Sequence, residues 1–287
     1  MMRFKIPFDL PASKRQVKYV EFNNSHHFNV IKYMSTNDDS VIENMFNEVI
    51  QDLTGEDATK MFAIDKFCLL LDIRSVALGD KIEFKTNIQA KASFNISSVL
   101  NSIRSVIEPA TLDHEIHVGD IVLTTSVPRR LQTSNVDDLV HNSIYSIRDH
   151  NDVYYFDDMS SVEQQTLLAS LPAEVLNDVI DCINKNQSII KDTYIIRENT
   201  DIGIDAIPFG LYDNSLFVFL KSIYSEDLMG FYELQYSLIT KLHISYDHFM
   251  QMTPNECRVF INIHNKEMKK QEEAQKAGDP KSRFSSP

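Results

Sequence analysis

The chain lacks tryptophan altogether and spreads only seven glycines over 287 residues. That usage excludes collagen-like and low-complexity architectures, and with 43% hydrophobic and 24% charged residues the composition is that of an ordinary globular protein. Cysteine is scarce too. Cys68, Cys182 and Cys257 are odd in number, far apart and without a C-x-x-C, so no disulfide framework is expected. Each lies in an apolar helical context, where a free thiol packs as a small hydrophobe in a reducing compartment. Positive charge is short: 28 Lys and Arg against 41 Asp and Glu leave a formal charge of −13. Nucleic-acid binding needs a Lys/Arg surface to displace counterions, so no nucleic-acid partner is expected. Long apolar runs are missing as well. None approaches the roughly 18 residues of a membrane span, and MMRFKIPFDLPASKR places Pro and Asp where a signal peptide needs an unbroken apolar core. Neither secretion by that route nor a membrane partner is expected.

What is present reads as an α+β protein of about two domains, given roughly 100–200 residues for each. Phe4, Ile6 and Phe8 alternate, Asp9 to Lys14 turn the chain, and Val17, Tyr19 and Phe22 continue it, which predicts an N-terminal β-hairpin. A short helix through Phe28 and Ile31 precedes a longer one. There Asn37-Asp38-Asp39-Ser40 caps a 3.6-residue repeat of Val41, Ile42, Met45, Phe46, Val49, Ile50 and Leu53, stopped at Thr54-Gly55. The most informative stretch follows, KMFAIDKFCLLLDIRSVALGDKIEF from Lys60 to Phe84. Its helix is apolar on more than one side, which predicts a position in the middle of the first domain, and Gly79-Asp80 hands over to a strand. Asp65 and Asp72 are seven apart and share a side, with Arg74 two beyond; they read as a polar stripe or a local charge pair.

Further on, the pattern predicts a strand through Ile82 and Phe84 with Thr86 and Ile88, and a helix from Ile96 to Ile107 stopped by Pro109. An extended segment over 115–127 turns or bulges at Gly119-Asp120, a helical stretch spans 136–147, and a short strand covers Val153 to Phe156. Ser160-Ser161-Val162-Glu163 is a capping box that restarts a helix, and Pro172 opens another. Lys191 to Gly210 reads as an irregular connection to an all-helical C-terminal unit. Leu216 to Tyr224 and Leu228 to Leu242 form its first helices; Thr253, Pro254 and Glu256 announce the last, whose apolar stripe is Val259, Phe260, Ile263 and Met268. The tail KKQEEAQKAGDPKSRFSSP has little to bury and is expected to fray.

No catalytic arrangement emerges. Gly203 and Gly210 form no G-x-G-x-x-G or P-loop. The nine His include the His26-His27 pair and the set His243, His248 and His264, with Asp247 or Cys257 as companions, but none has metal-site spacing. His114 and His117 are three apart and point to opposite faces of a strand. No metal, cofactor or catalytic residue is therefore expected. Tyr246, Phe249, Met250 and Met252 crowd ahead of a helix start, and Met with aromatics makes an adaptable protein-binding surface, so these four are the candidate partner-binding residues.

The order of segments up to about residue 190 resembles the baseplate protein family of T-even-type contractile-tailed phages. Members pass through an aspartate, an apolar run, an Arg and Ser step and a Gly; here these are Asp65, Leu69 to Leu71, Arg74, Ser75 and Gly79, with Ile73 where the pattern usually has Leu. Tyr154-Tyr155-Phe156 and SSVEQQTLLASLPAEVLNDVIDCI resemble the family's C-terminal part. The resemblance implies a mixed α+β domain over 1–190, a helical extension over 191–268 and a disordered tail over 269–287. It also implies a non-catalytic hub assembly protein that binds other baseplate or hub proteins, in the host cytoplasm during tail assembly or in the virion baseplate, with self-association a further expectation. Two alternatives are a structural hub subunit retained in the virion and a metal-dependent hydrolase using His243, His248 and His264.

Overall fold

The computed structural model describes residues 4–36, 38–85, 91–133, 135–150, 152–190, 194–199, 203–208, 214–225 and 228–278. β1 (Lys5–Leu10) and β2 (Arg15–Val20) form the expected antiparallel hairpin, with Phe8, Leu10, Val17 and Tyr19 on its buried face. α1 (Asn24–Met34) begins at a capping box between Asn23 and His26. α2 (Asp39–Thr54) starts where the Asp38 carboxylate accepts from the amides of Ser40 and Val41, and it ends at Gly55, whose φ of 78° suits a residue without Cβ.

α3 (Ala63–Leu78) has no wet face: thirteen of its sixteen residues are buried. The polar residues of its sequence stripe bond outward to different elements. Asp65 accepts from the amides of Ala12 (2.8 Å) and Ser13 (3.0 Å) in the hairpin turn, and Asp72 accepts from the Tyr19 hydroxyl at 2.8 Å. The seven-residue spacing thus turns both carboxylates towards one hairpin. Gly79, at φ 102°, ends the helix. Next to it the Asp80 carboxylate takes the amide (2.7 Å) and hydroxyl (2.8 Å) of Ser97, which satisfies the first turn of α4 beyond β3 and β4.

β3 (Lys81–Lys85) pairs with β4 (Lys91–Asn95), and α4 (Ile96–Ile107) follows. β5 (His114–Val118) and β6 (Ile121–Thr125) resolve the segment around Gly119 as a hairpin. α5 (Val136–Ser143) is shorter than its pattern suggested, because Ile144 to Ile147 leave the helix for β7 (Ile144–Asp149). β7 pairs with β6 and with β8 (Asp152–Tyr155), giving a sheet in the order β5-β6-β7-β8. α6 (Ser161–Ser170) starts at the Ser160 and Glu163 capping box, and α7 (Ala173–Ile190) starts after Pro172.

The stretch read as an irregular connection is a second correction. β9 (Tyr194–Asn199) and β10 (Gly203–Pro208) form a hairpin that extends β3 and β4 into a sheet of order β10-β9-β4-β3. The connection thus carries strands, and beyond it the C-terminal unit is helical as expected, with α8 (Ser215–Tyr224), α9 (Leu228–Leu242), α10 (Tyr246–Gln251) and α11 (Pro254–Gly278). Packing also crosses residue 190. Leu216, Phe217, Leu220, Ile223 and Tyr224 of α8 enter the same core as the hairpin, α2, α3 and α4. A second core lies between the β5 to β7 sheet, α5 and α7; a third gathers Ile31 of α1 with α9, α10 and α11. Residues 269–278, expected in the frayed tail, belong to α11, while Thr86, Ile88 and 279–287 lie outside the described residues.

Lys66 of α3 is 1% exposed, with its ammonium 3.1 Å from Asn47 Oδ1. Burial lowers its pKa from 10.5 to about 8, against the pull of Glu43. The charged ammonium costs stability in full below about pH 8. That cost falls away as pH rises towards 10.5, because in this window the unfolded chain holds the proton that the folded one gives up. Lys66→Met should be more stable than the parent at pH 7 by roughly 1–3 kcal/mol. Urea unfolding at pH 7 and pH 10 should show the advantage narrowing; a constant or widening gap would contradict a buried, proton-shedding lysine.

Candidate protein-contact surface

The C-terminal helices are tied to the body at both ends of their run. The side-chain amide of Asn24, the first residue of α1, donates to the Phe249 carbonyl (2.8 Å) and to Cys257 Sγ (3.0 Å), and its backbone amide reaches the Met252 carbonyl at 2.8 Å. The Arg258 guanidinium donates to the Leu78 carbonyl at 2.5 Å, placing a cation at the C-terminal end of α3 where free carbonyls and the helix dipole favour it. Ser245 caps α10, and the predicted box of α11 is present, with the Thr253 amide on Glu256 Oε2 (2.7 Å) and the Glu256 amide on Thr253 Oγ1 (3.2 Å).

This framework divides the four candidate partner-binding residues. Phe249 is 0% exposed and Met252 4%, both in the third core, and Phe249 meets Phe231 edge to face at 5.5 Å. Met250 is partly buried against the same core, and Tyr246 alone is exposed, at 54%. The residues crowd together because they cross the one-and-a-half turns of α10, and a helix that short turns every third or fourth side chain inward. Phe249 and Met252 are thus corrected from surface to core.

On α11 the apolar stripe turns the other way. Cys257 and the partly buried Ile261 face the core, whereas the stripe Val259, Phe260, Ile263 and Met268 lies outside at 43–51% exposure. α9 carries a similar outward row, Met229, Tyr232 and Tyr236, spaced three and four apart opposite the buried Phe231 and Leu238. Two helices with apolar residues on both faces were the available signal: one face suffices for the core, and the other is surplus.

The histidines do not converge. His243 and His248 are exposed, His264 is half-buried, His26 serves the α1 cap, and His27 packs 5.7 Å from the Phe231 ring. His114 is hydrogen bonded to Asn186 at 2.9 Å. Among the described residues no three His, Cys, Asp or Glu side chains gather to hold a metal ion, and no helix is long and apolar enough to cross a membrane. All three cysteines are buried, and burial raises the Cys68 and Cys257 thiols above their ordinary range, which keeps them protonated and unreactive near neutrality.

An acidic protein that keeps its polar groups for caps and latches and sets apolar residues outward is of the contact-making class. The family model described as T4 bacteriophage base plate protein matches residues 1–194, and the chain belongs to that family. It has a structural or assembly role in the phage baseplate and interacts with other baseplate proteins. No curated protein and no solved structure matches it.

Replacing Phe249 with Ala should cost about 3–5 kcal/mol, as for a fully buried aromatic, whereas Tyr246→Ala should stay within about 0.5 kcal/mol. Chemical unfolding of the two variants decides it. Similar losses for both would return Phe249 to the surface.

Proposed function

We propose that the chain is a non-catalytic baseplate hub assembly protein, acting in the host cytoplasm by protein contacts and leaving before the tail is complete. The observation that carries this reading is the outward apolar face of α9 and α11, with Tyr232, Tyr236, Val259, Phe260 and Ile263 45–67% exposed on helices whose other faces are already packed. Met and aromatic side chains supply large contact area and adapt to more than one partner, as an assembly factor requires. The charge of −13 keeps such a surface soluble at high concentration and steers it towards basic subunits. The family match supports a place in the baseplate and is equally compatible with a retained hub subunit.

Quantitative mass spectrometry of finished particles and of isolated hub intermediates separates the two. The full chain should be present in the intermediates and missing from finished tails. A paired Tyr236→Ser and Phe260→Ser variant, which removes only exposed groups, should be recovered with the intermediates at least about five-fold less. A fixed copy number in finished particles would make the chain a retained subunit. Undiminished recovery of the variant would move the contact away from α9 and α11.

A further inference from the structure

The second core leaves one flank unfinished. β8 is the outer strand of the β5-β6-β7-β8 sheet, all four of its residues are exposed, and among the described residues no strand pairs with its far side. Val153, Tyr154 and Tyr155 are each about 50% exposed. Beside them α6 contains no buried residue at all, and Val162 on its first turn is 70% exposed. Between the strand and the helix runs an open groove of about 690 Å³, with Val153, Tyr154, Tyr155, Met159, Val162 and Leu167 in its lining.

The backbone gives this groove a direction. The register pairs Asp149 with Asp152, Arg148 with Val153, Ile147 with Tyr154 and Ser146 with Tyr155. The pair closing a tight hairpin exchanges both its hydrogen bonds, so alternation turns the amides and carbonyls of Val153 and Tyr155 away from β7. A sheet edge of this kind is open to pairing, and natural edges are ordinarily blunted by lysine or proline. Here neither is present.

Charge selects the occupant. From Asp149 to Asp181 the chain carries eight acidic residues, and no Lys or Arg occurs between Arg148 and Lys185. The charged residues lining the groove are Asp158 and Glu163. Asp158 is bridged by Lys60 at 2.8 Å, and Glu163 is held to its cap by one oxygen; Asp149 and Asp152 stand exposed at the hairpin end. Two copies of this chain meeting through β8 would set the exposed Asp149, Asp152 and Glu163 of one against the same acids of the other.

From the open strand, the unburied helix and the predominantly acidic rim, we infer that the β8 and α6 groove receives an extended, Lys/Arg-bearing segment of another polypeptide. The segment adds as a fifth strand beside β8, its apolar side chains lie along Tyr154 and Val162, and its cations face the acidic rim. The site sits on other elements than α9 and α11 and does not depend on whether the protein leaves the tail.

Fluorescence anisotropy with the full chain tests this, using a labelled ten-residue peptide alternating Lys and Val and a control alternating Glu and Val. The Lys/Val peptide should bind saturably, weaken several-fold as salt rises from about 0.05 to 0.3 M, and exceed the Glu/Val peptide by at least about ten-fold. Val153→Pro, which removes an outward amide, should reduce binding about ten-fold or more, and Val162→Ser, which removes an apolar contact on the exposed helix face without changing the charge of the rim, should reduce it several-fold, with circular dichroism unchanged. Should the proline variant fail to fold, Val162→Ser carries the test. Phe260→Ser should leave peptide binding as it was, which separates this site from the α9 and α11 face. Absent binding, equal binding of both peptides, or binding indifferent to the groove variants would overturn the inference. Concentration-dependent dimerisation abolished by Val162→Ser would replace the basic segment with a second copy.

Discussion

The first and largest core leans on α3, a helix with thirteen of sixteen residues buried whose polar atoms are committed to the hairpin and to α8. Asp65 holds the hairpin turn, Asp72 holds Tyr19 of β2, and the Arg74 guanidinium donates to the Ile223 carbonyl of α8 at 3.3 Å. Tyr224 returns the contact by donating to the Leu70 carbonyl at 2.7 Å, and the Ala63 amide reaches the Pro128 carbonyl at 2.8 Å. Apolar burial supplies most of the driving force but is indifferent to direction. The buried polar bonds fix direction, because a misplaced neighbour would leave a charged or hydrogen-bonding group dry and unpaired. Burial raises the Asp65 and Asp72 carboxyls despite these bonds, so desolvation is the larger influence on both.

With the centre so closed, contact-making moves to the periphery. The third core packs one face of α9 and of α11 and leaves the other face apolar. The second core supports β8 from one side only. A protein that must be held by neighbours in an assembly gains from this arrangement. The fold survives without the partner because its core is complete, and binding buries surface that folding did not need. The acidic excess of the chain opposes indiscriminate self-association of such exposed apolar residues.

Much of this was legible in the residues where a local rule has a single structural solution. Asp38 before α2, Ser160 with Glu163 before α6 and Thr253 with Glu256 before α11 are caps whose spacing admits few alternatives, and each appears as read. The burial of α3 followed from apolar residues on all sides. β7 was hidden because Ile144 and Ile147, three apart, share a face on a helix but not on a regular strand, and a register shift opposite Thr124 and Thr125 in the pairing with β6 accommodates both. β9 and β10 needed a distant edge on β4, which no local pattern reports. Of the four candidate partner-binding residues, Tyr246 is exposed while Phe249 and Met252 are buried, and the apolar stripe of α11 turns outward. Spacing shows that residues share a face but not which way the face turns; Asn24 and Arg258, far away in sequence, set that orientation.

Native-state hydrogen exchange on the isolated chain reaches the central claim most directly. If α3 is the keystone, the amides of α3, of the β1 and β2 hairpin and of α8 should exchange through one common, slow opening, with β8, α6 and the outer turns of α11 exchanging far faster through local motions. Exchange of α8 or the hairpin well ahead of α3, with a separate and lower opening free energy, would contradict it.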